Sequence, residues 1–258
     1  MIHTVAVITS LQSIAPQVWV LGFRAPQIAW VIEPGQFINI KVSDYDVPFL
    51  RRPFSVYYVD NDEVQIIFNI VGIGTSILSQ KRVGDKLDII GPLGNPFKTG
   101  DDFETGLIVG GGMGVAVLPL LSSVIKKISR KFFIYLGART SSHLVKRHLN
   151  NPLIATDDGS EGYSGTVVDL LRLDIIKNKF IKPKIFACGP NAMLKEISLL
   201  AQEFNINCEV SLESSMACGF GICQGCPVEI LNSEMKYALI CKDGPVFNVN
   251  QIRIPSVG

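Results

Sequence analysis

The sequence carries almost no net charge and has no long hydrophobic run. Its 24 lysines and arginines offset 23 acidic residues, which leaves a formal charge of +1. Without a concentrated positive field the chain is not suited to gather nucleic acid or an anionic membrane, and we expect it to bind neither. No segment reaches the roughly eighteen consecutive apolar residues of a membrane-spanning helix, and the first residues lack the pattern of a secretory signal. We therefore expect a cytoplasmic protein.

Histidine is also scarce, with three in the chain. His143 and His148 are five positions apart, which is the wrong offset for a metal site on one helical face, so we expect both at the surface. The hydrophobic content of 47% is ample for proper cores, and a length of 258 residues favours two domains or slightly more.

Cysteine is concentrated near the C-terminus, in the order C-x4-C-x2-C-x14-C at Cys218, Cys223, Cys226 and Cys241. This is the ligand spacing of a plant-type [2Fe-2S] centre, in which one tight loop supplies three thiolates. The interspersed glycines allow the loop to turn sharply. Structural zinc usually takes two short-spaced cysteine pairs, and only Cys223 and Cys226 form one, so zinc is the weaker alternative and a disulfide or free thiols the third.

The first hundred residues contain six short β-rich runs separated by proline and glycine. These runs are HTVAVIT, VWVLGF, FINIKV, PFSVYYV, EVQIIFNIV and KLDIIG. Many short strands without helical periodicity predict a small antiparallel β-barrel, which we assign to residues 1–99.

The pattern changes near residue 100. Predicted strands (TGLIVGGG, KFFIYLGA, PLIAT, PKIFACG) now alternate with predicted helices (VAVLPLLSSVIKKI, GTVVDLLRLDII, NAMLKEISLLAQEF). Such alternation predicts a doubly wound, Rossmann-like parallel α/β domain, which we assign to residues 100–209. The cysteine motif then falls in a small third module, residues 210–258. The predicted fold class is thus multi-domain, β followed by α/β.

Three turns follow strands of the predicted parallel sheet. The first contains Gly110, Gly111, Gly112 and Gly114; the others are Asp157-Asp158-Gly159 and Cys188-Gly189-Pro190. Ligands of open α/β sheets bind at the carboxyl edge of the strands, and bare backbone there lets a pyrophosphate approach a helix N-terminus. We therefore predict a dinucleotide site. A turn without a ligand is the alternative for the glycine run, and Asp157 either binds ribose or caps its turn.

The barrel half offers a second candidate site at Arg51-Arg52-Pro53-Phe54-Ser55. Arginine beside a hydroxyl can clamp a phosphate, and Phe54 could line a slot beside a ring. Adjacent arginines are more often solvated surface, so that interpretation stays open. Gly74-Thr75 is a further candidate phosphate turn.

These motifs together carry a family resemblance. Arg52-Pro53-Phe54-Ser55, VGIGT, GPLGNPF, VGGGMGV, TDDGS and CGPNAM resemble the ferredoxin-reductase superfamily, in which an FAD-binding barrel precedes a nicotinamide-binding domain. With SLESSMACGFGICQGC and CKDGPVF added, nearly the whole chain resembles the electron-transfer subunits of NAD-dependent (class 1B) dihydroorotate dehydrogenase.

The resemblance implies cofactor-binding residues position by position. FAD would contact Arg52, Pro53, Phe54, Ser55, Ile67, Phe68, Asn69, Gly74 and Thr75. Asn69 departs from the basic residue expected there. NAD would contact Gly110, Gly111, Gly112, Gly114, Cys188, Gly189 and Pro190, with the proline expected after the glycines delayed to Pro119. The four motif cysteines would hold a [2Fe-2S] cluster.

The resemblance also implies a partner and a function. In such enzymes a separate FMN-containing catalytic subunit oxidises dihydroorotate in pyrimidine biosynthesis, and electrons pass through the cluster and FAD to NAD+. The expected assembly is a heterotetramer with two copies of each subunit, and no catalytic residue for dihydroorotate is expected in this chain. The alternatives are a reductase subunit of a hydrogenase, sulfur-linked or ferredoxin-linked complex, and a non-catalytic zinc module.

Overall fold

A computed structural model describes residues 1–43, 45, 47–231 and 233–255. Its first part is a closed antiparallel barrel with the strand order β1-β2-β5-β4-β3-β6. The strands are β1 (Ile2–Ala15), β2 (Val18–Arg24), β3 (Phe37–Lys41), β4 (Arg52–Asp60), β5 (Glu63–Asn69) and β6 (Lys86–Leu93). Alternate side chains point inward, so Ile38 and Ile40 of β3 lie in the barrel core while Phe37 and Asn39 face outward.

Two short helices connect barrel strands, α1 (Pro26–Ala29) and α2 (Ile73–Ser79). The N-terminus of α2 is fixed by Thr75, whose Oγ1 accepts hydrogen bonds from the N–H groups of Val71 (2.9 Å) and Gly72 (3.3 Å). The side-chain oxygen thereby satisfies backbone donors that a helix start leaves without partners.

The second part is a parallel sheet covered by helices. Its strands are β7 (Thr105–Gly111), β8 (Lys131–Ala138), β9 (Leu153–Thr156), β10 (Tyr163–Ser164), β11 (Pro183–Cys188) and β12 (Asn207–Ser211); the helices are α3 (Leu118–Lys127), α4 (Val167–Lys177) and α5 (Asn191–Glu203). β7 pairs with β8 on one side and β11 on the other, so the strand order reverses beside β7. A crevice at the carboxyl ends of β7 and β11 follows from this reversal.

The last part leaves the sheet and returns to it. β13 (Pro227–Glu229) and β14 (Tyr237–Leu239) form an antiparallel pair, and β15 (Val246–Asn248) then pairs antiparallel with β12. The full sheet order is β10-β9-β8-β7-β11-β12-β15. All four motif cysteines therefore lie on a chain excursion between two neighbouring strands of one sheet.

The three parts share hydrophobic cores. Val18, Val20 and Tyr57 of the barrel pack in one cluster with α3 and with β7 and β8 of the sheet. Cys226 and Cys241 are buried in a second cluster with α4, α5 and the other face of the sheet. The relative positions of barrel, sheet and cysteine region are thus fixed by continuous apolar packing.

The predicted fold class is confirmed, with differences at particular elements. The helix expected from Val115 begins as a 3-10 helix, Gly112–Val117, and becomes α3 at Leu118, because Pro119 lacks an N–H group and fits the first turn of a helix. Strands β12 to β15 were not predicted. The domain boundaries stay predictions; the one at 209/210 falls inside β12.

Candidate functional site

A pocket of about 340 Å³, which we call the barrel pocket, lies on the outer face of β4 and β5. Of the residues predicted to bind FAD, its lining includes Arg52, Pro53, Phe54, Ser55, Ile67, Phe68, Asn69 and Thr75. Gly74 does not line it; a Cβ added there would lie 3.0 Å from Arg52 Nε, so Gly74 lets the arginine pack against α2. A mostly apolar pocket with one guanidinium and four hydroxyl side chains suits a planar ring carrying a phosphate chain.

The two adjacent arginines have different roles. Arg51 makes two 2.9 Å hydrogen bonds to the carboxylate of Asp88, which His3 also contacts at 2.7 Å. Burial raises the pKa of Asp88, but the bonds from Arg51 and His3 outweigh it and lower that pKa overall. Arg51 is therefore committed to an ion pair, and Arg52 is the arginine that faces the barrel pocket.

A larger pocket of about 780 Å³, the sheet-edge pocket, lies at the carboxyl ends of β7, β8 and β9. Of the residues predicted to bind NAD, its lining includes Gly111, Gly112, Asp157 and Pro190. Arg139, His143 and Lys195 add nitrogen-bearing side chains. Its position at the strand-order reversal is the one at which open α/β sheets bind nucleotides.

Gly110 and Gly114 do not line the sheet-edge pocket; each allows neighbouring groups to pack closely against the backbone. A Cβ on Gly114 would lie 2.0 Å from the Cys188 carbonyl oxygen, and one on Gly110 would lie 2.6 Å from Leu118 Cδ2. The first contact brings the glycine loop against the Cys188-Gly189-Pro190 turn. Cys188 itself is buried, and burial raises the pKa of its thiol, so it remains protonated.

The two aspartates after β9 have different surroundings in the structure. Asp158 Oδ1 accepts hydrogen bonds from Ser160 N (3.0 Å) and Ser160 Oγ (2.6 Å), which lower its pKa and cap the turn. Asp157 instead lines the sheet-edge pocket. A carboxylate at this place can accept hydrogen bonds from ribose hydroxyl groups.

The pockets adjoin one another. Asn69 and Met113 line both the barrel pocket and the sheet-edge pocket. A third cavity of about 480 Å³, the junction pocket, contains Gly189 and Pro190 on one side and Glu213 on the other. Glu213 also lines the barrel pocket, and burial raises the pKa of its carboxyl group. A ring in the barrel pocket and a second ring entering from the sheet edge would therefore meet near these residues.

Asn69, which lies between the two pockets, has an unsatisfied side-chain oxygen. Its Oδ1 is buried and makes no hydrogen bond, one of two such side-chain atoms among the described residues. A buried acceptor without a partner costs roughly 1–3 kcal/mol. An orphaned polar atom on the wall between two pockets is consistent with a site built for ligands.

The motif cysteines form two neighbouring pairs. The Cys223 N–H donates to Cys218 Sγ at 3.4 Å, and the Cys241 N–H donates to Cys226 Sγ at 3.4 Å. All six cysteines are free thiols, and among the described residues no group of three or more His, Cys, Asp and Glu side chains is gathered tightly enough to hold a metal ion. Two thiol pairs match the requirement of a [2Fe-2S] centre for two thiolates on each iron.

The loop between Cys218 and Cys223 provides donors for a thiolate. Burial acts to raise the pKa of Cys218, but backbone N–H groups of Cys223, Phe220 and Ile222 lower it to about 6. Burial and the neighbouring Cys226 thiol raise the pKa of Cys241 to about 12. The lowered pKa of Cys218 favours its anionic ligand form, whereas the raised pKa of Cys241 keeps its thiol protonated unless a metal ion replaces the proton.

Some lining residues were not predicted from the sequence. Met113 lies within the glycine run, yet methionine has no distinctive binding pattern. Ser214 and Met216 line the barrel pocket because the segment before Cys218 folds back onto the barrel. Only their position just before the first motif cysteine could have suggested this.

No helix in the described ranges combines the length and the apolar character needed to cross a bilayer.

Comparison with known proteins gives consistent matches. Residues 213–253 match the model of the iron-sulfur cluster binding domain of dihydroorotate dehydrogenase B. The chain is 35% identical over 250 residues to the dihydroorotate dehydrogenase B (NAD(+)) electron transfer subunit of Desulforamulus reducens, a match that covers 94% of this chain and 95% of that protein. The subunit with the same name from Bacillus caldolyticus is 34% identical over 254 residues, with 95% and 96% covered.

Solved structures of flavin-dependent reductases have a similar fold. An NADH-dependent reduced ferredoxin-NADP oxidoreductase studied for flavin-based electron bifurcation superposes with a TM-score of 0.85 at 30% identity, and covers 96% of this chain and 90% of its own. Phthalate dioxygenase reductase superposes with a TM-score of 0.66 at 14% identity, with 93% and 77% covered, which supports the fold alone.

The barrel, the sheet with its edge pocket and the cysteine loop define a reductase of the ferredoxin-reductase type with an iron–sulfur region. Within that class, the chain belongs to the family of dihydroorotate dehydrogenase B (NAD(+)) electron transfer subunits. The family resemblance of the sequence motifs is thereby confirmed.

Proposed function

We propose that the protein carries electrons from an FMN-containing dihydroorotate dehydrogenase catalytic subunit, through a [2Fe-2S] cluster and FAD, to NAD+ in the cytoplasm. The supporting observation is that the barrel pocket shares lining residues with the sheet-edge pocket on one side and is lined by the segment leading into the cysteine loop on the other. Three cofactor sites in that order suit a stepwise electron carrier.

We assign the barrel pocket to FAD. Bound flavin exchanges a hydride with nicotinamide and single electrons with an iron–sulfur centre, which makes it the converter between the two. Arg52 would bind the phosphate chain with Ser55 as a hydrogen-bond partner, and Phe54 and Phe68 would exclude water from the ring. Thr75 lines the same pocket, and its hydroxyl holds the start of α2 beside it. Gly74 supports the role of Arg52 by allowing it to lie against α2.

We assign the sheet-edge pocket to NAD. Gly111 and Gly112 would let the pyrophosphate approach the backbone, Asp157 would accept ribose hydroxyl groups, and Pro190 would direct nicotinamide toward the barrel pocket. Gly114, Cys188 and Gly189 act by holding the two turns together, and Gly110 lets Leu118 of α3 pack against the end of β7. Asn69 lies where both nucleotides would meet.

We assign Cys218, Cys223, Cys226 and Cys241 to the cluster. The partner would dock where the exposed Cys223 brings the cluster to the surface, in a heterotetramer with two copies of each subunit. We place the chemistry on dihydroorotate in the partner subunit, as the family resemblance implies.

The test is reconstitution with the partner. Purified protein should show flavin and iron–sulfur absorption that NADH bleaches. When co-expressed with an FMN-containing dihydroorotate dehydrogenase subunit, it should co-purify with that subunit and make NAD+ reduction depend on dihydroorotate. If the catalytic subunit reduces NAD+ equally well alone, the assignment of this partner fails.

One observation favours a second candidate. The NADH-dependent reduced ferredoxin-NADP oxidoreductase is almost as similar in sequence as the named subunits and superposes over nearly the whole chain. A subunit of another NAD(P)H-dependent flavoprotein complex is therefore the alternative. Affinity purification of the chain from its own cells would identify the flavoprotein that accompanies it and decide between the two.

A further inference from the structure

Asn39 connects the barrel to the cysteine loop. It lies on β3, faces outward, and is only 1% exposed because the cysteine loop covers it. Its Nδ2 donates a 3.0 Å hydrogen bond to the carbonyl oxygen of Cys218, 179 positions further along the chain. This contact reaches the first motif cysteine directly.

The loop is shaped to receive this side chain. Gly219 follows Cys218 with a φ of +79°, and a Cβ there would lie 2.0 Å from Asn39 Nδ2. Glycine is needed both for the left-handed backbone and for the space that the amide occupies. The close approach is therefore a built feature of the loop and of β3 together.

The same strand reaches the barrel pocket. Asn39 is paired with Pro53 of β4, which lines that pocket, and Phe37, two residues before Asn39 on the same face of β3, lines it as well. Residues two apart along a strand are separated by roughly 7 Å. One short rigid strand thus contacts both the pocket assigned to FAD and the backbone of a cysteine assigned to the cluster.

Stability alone does not explain an amide here. Asn39 Oδ1 is buried and has no hydrogen-bond partner. A buried acceptor without a partner is unfavourable, and an apolar side chain of similar size removes that cost. Only one half of the amide is satisfied, and that half is the donor that binds the Cys218 carbonyl.

We infer that Asn39 is a positioning residue for electron transfer. By holding the Cys218 carbonyl it fixes the cluster loop at a set distance and orientation from the flavin pocket. The inference rests on the proposed cofactor assignment, and it adds the residue that sets the geometry between the two redox sites. Neither the pattern of the cysteines nor the resemblance to known reductases pointed to it.

The test compares Asn39→Leu and Asn39→Asp in the cofactor-loaded protein. Both lose the donor to Cys218; leucine also removes the orphaned acceptor, and aspartate adds a negative charge beside the loop. We expect NADH to reduce the bound flavin at the wild-type rate in both variants. Transfer from flavin to cluster should slow several-fold in a single-turnover measurement, and the electron paramagnetic resonance spectrum of the reduced cluster should change.

Two further readouts separate positioning from general stabilisation. Asn39→Leu should unfold in urea close to the wild-type concentration, because removal of the orphaned acceptor offsets the loss of the hydrogen bond to the Cys218 carbonyl. The cluster of Asn39→Asp should have a lower reduction potential than that of Asn39→Leu, because nearby negative charge disfavours an added electron. If both variants lose iron and stability together while the remaining cluster keeps its wild-type spectrum and rate, Asn39 is merely structural and the inference is wrong.

Gln36→Leu is the matched control. Gln36 precedes β3 and its Nε2 donates to a backbone carbonyl, that of Gly94, at 2.9 Å, but this bond lies within the barrel. The cluster spectrum of Gln36→Leu and its rate of electron transfer from flavin to cluster should match those of the wild type. If wild-type protein holds no flavin or cluster, the proposed function fails; if it holds both and transfers electrons while the Asn39 variants do so equally well, only this inference fails.

Discussion

Gly114 is packed so closely against the Cys188 carbonyl that there is no space for a Cβ atom. The Cβ of Gly114→Ala would overlap the Cys188 carbonyl, so the glycine loop and the Cys188-Gly189-Pro190 turn must move apart. Forced overlap in a packed interior costs about 1–3 kcal/mol. We expect NAD+ to bind about tenfold more weakly, or roughly 1.4 kcal/mol, in a calorimetric titration of the flavin-loaded protein.

Gly100→Ala is the control for that substitution. A Cβ at Gly100 meets no atom within 4 Å. Its affinity for NAD+ should equal that of the wild type. Wild-type affinity in Gly114→Ala would show that the contact between the two turns does not shape the dinucleotide site.

His148 gives the stability of the protein a pH dependence. Its ring stacks on Tyr58 at 4.1 Å, and burial together with the Arg147 charge lowers its pKa below 6.5, against a weaker opposite effect of Asp60. As the pH falls, the unfolded chain therefore binds the proton first, so the stabilisation is complete above about pH 6.5 and declines below it.

The measurement is the free energy of unfolding from pH 8 to pH 5. Wild-type protein should lose stability below pH 6.5 more steeply than His148→Asn, a non-titrating residue that tolerates the φ of +63° found there. Parallel curves for the two proteins would mean that His148 titrates equally in both states.

At the scale of elements, a buried ion network ties the linker after the barrel to the sheet. Lys184 of β11 is fully buried, and its Nζ lies 2.7 Å from Asp102 Oδ2 and 3.3 Å from Glu209 Oε1 of β12. It also donates to the Lys98 carbonyl at 2.8 Å, and the Lys98 N–H donates to Glu209. The segment that joins barrel and sheet is thus fixed to two central strands.

Lys184→Ala should lower the free energy of unfolding by about 3–5 kcal/mol, because it leaves the Glu209 carboxylate buried without its cation. Urea denaturation measures this directly. Lys182→Ala is the matched control, since Lys182 forms an exposed pair with Glu104 and should cost no more than about 1 kcal/mol. Equal losses in the two variants would contradict the role given to the network.

The elements that the sequence predicts best are those with strong local patterns. All six barrel strands follow from apolar runs and turn residues, and so do β7, β8, β9 and β11 of the sheet with helices α3, α4 and α5. β10 and β12 were not predicted. β15 has three residues and is stabilised by pairing with β12, so nothing local marks it. The start of α3 was misplaced because the glycine run and Pro119 favour a 3-10 turn over regular helix.

At the scale of the whole molecule, the order of the cofactor sites predicts a selective defect. Cys223→Ser removes one of the proposed cluster ligands, a residue outside the lining of the sheet-edge pocket. NADH should still reduce the flavin at close to the wild-type rate, whereas transfer to or from the partner should be lost. Stopped-flow absorbance for the first step and a coupled dihydroorotate assay for the second measure both.

Cys208→Ala provides the comparison for that variant. Cys208 is a buried thiol of β12 outside the motif, and its loss should leave cluster content and both electron-transfer steps intact. Loss of flavin reduction along with partner transfer in Cys223→Ser would show that the cluster supports the fold rather than the path of electrons.

The predicted site residues divide by how they act. Residues predicted to contact FAD through their side chains, such as Arg52 and Ser55, line the barrel pocket. Gly74, Gly110 and Gly114 instead allow neighbouring groups to approach, a role visible only in three dimensions. Asn39 and Glu213 could not be assigned, because their importance arises from contacts between segments that are far apart in sequence.

The return of β15 to the edge beside β12 makes the cysteine region an insertion with both ends anchored in the nucleotide-binding sheet. Both ends of such an insertion are held by strand pairing, unlike a carrier domain tethered by a single linker, which swings between partners. Electrons must therefore leave through a fixed exit, and the partner has to come to the cluster.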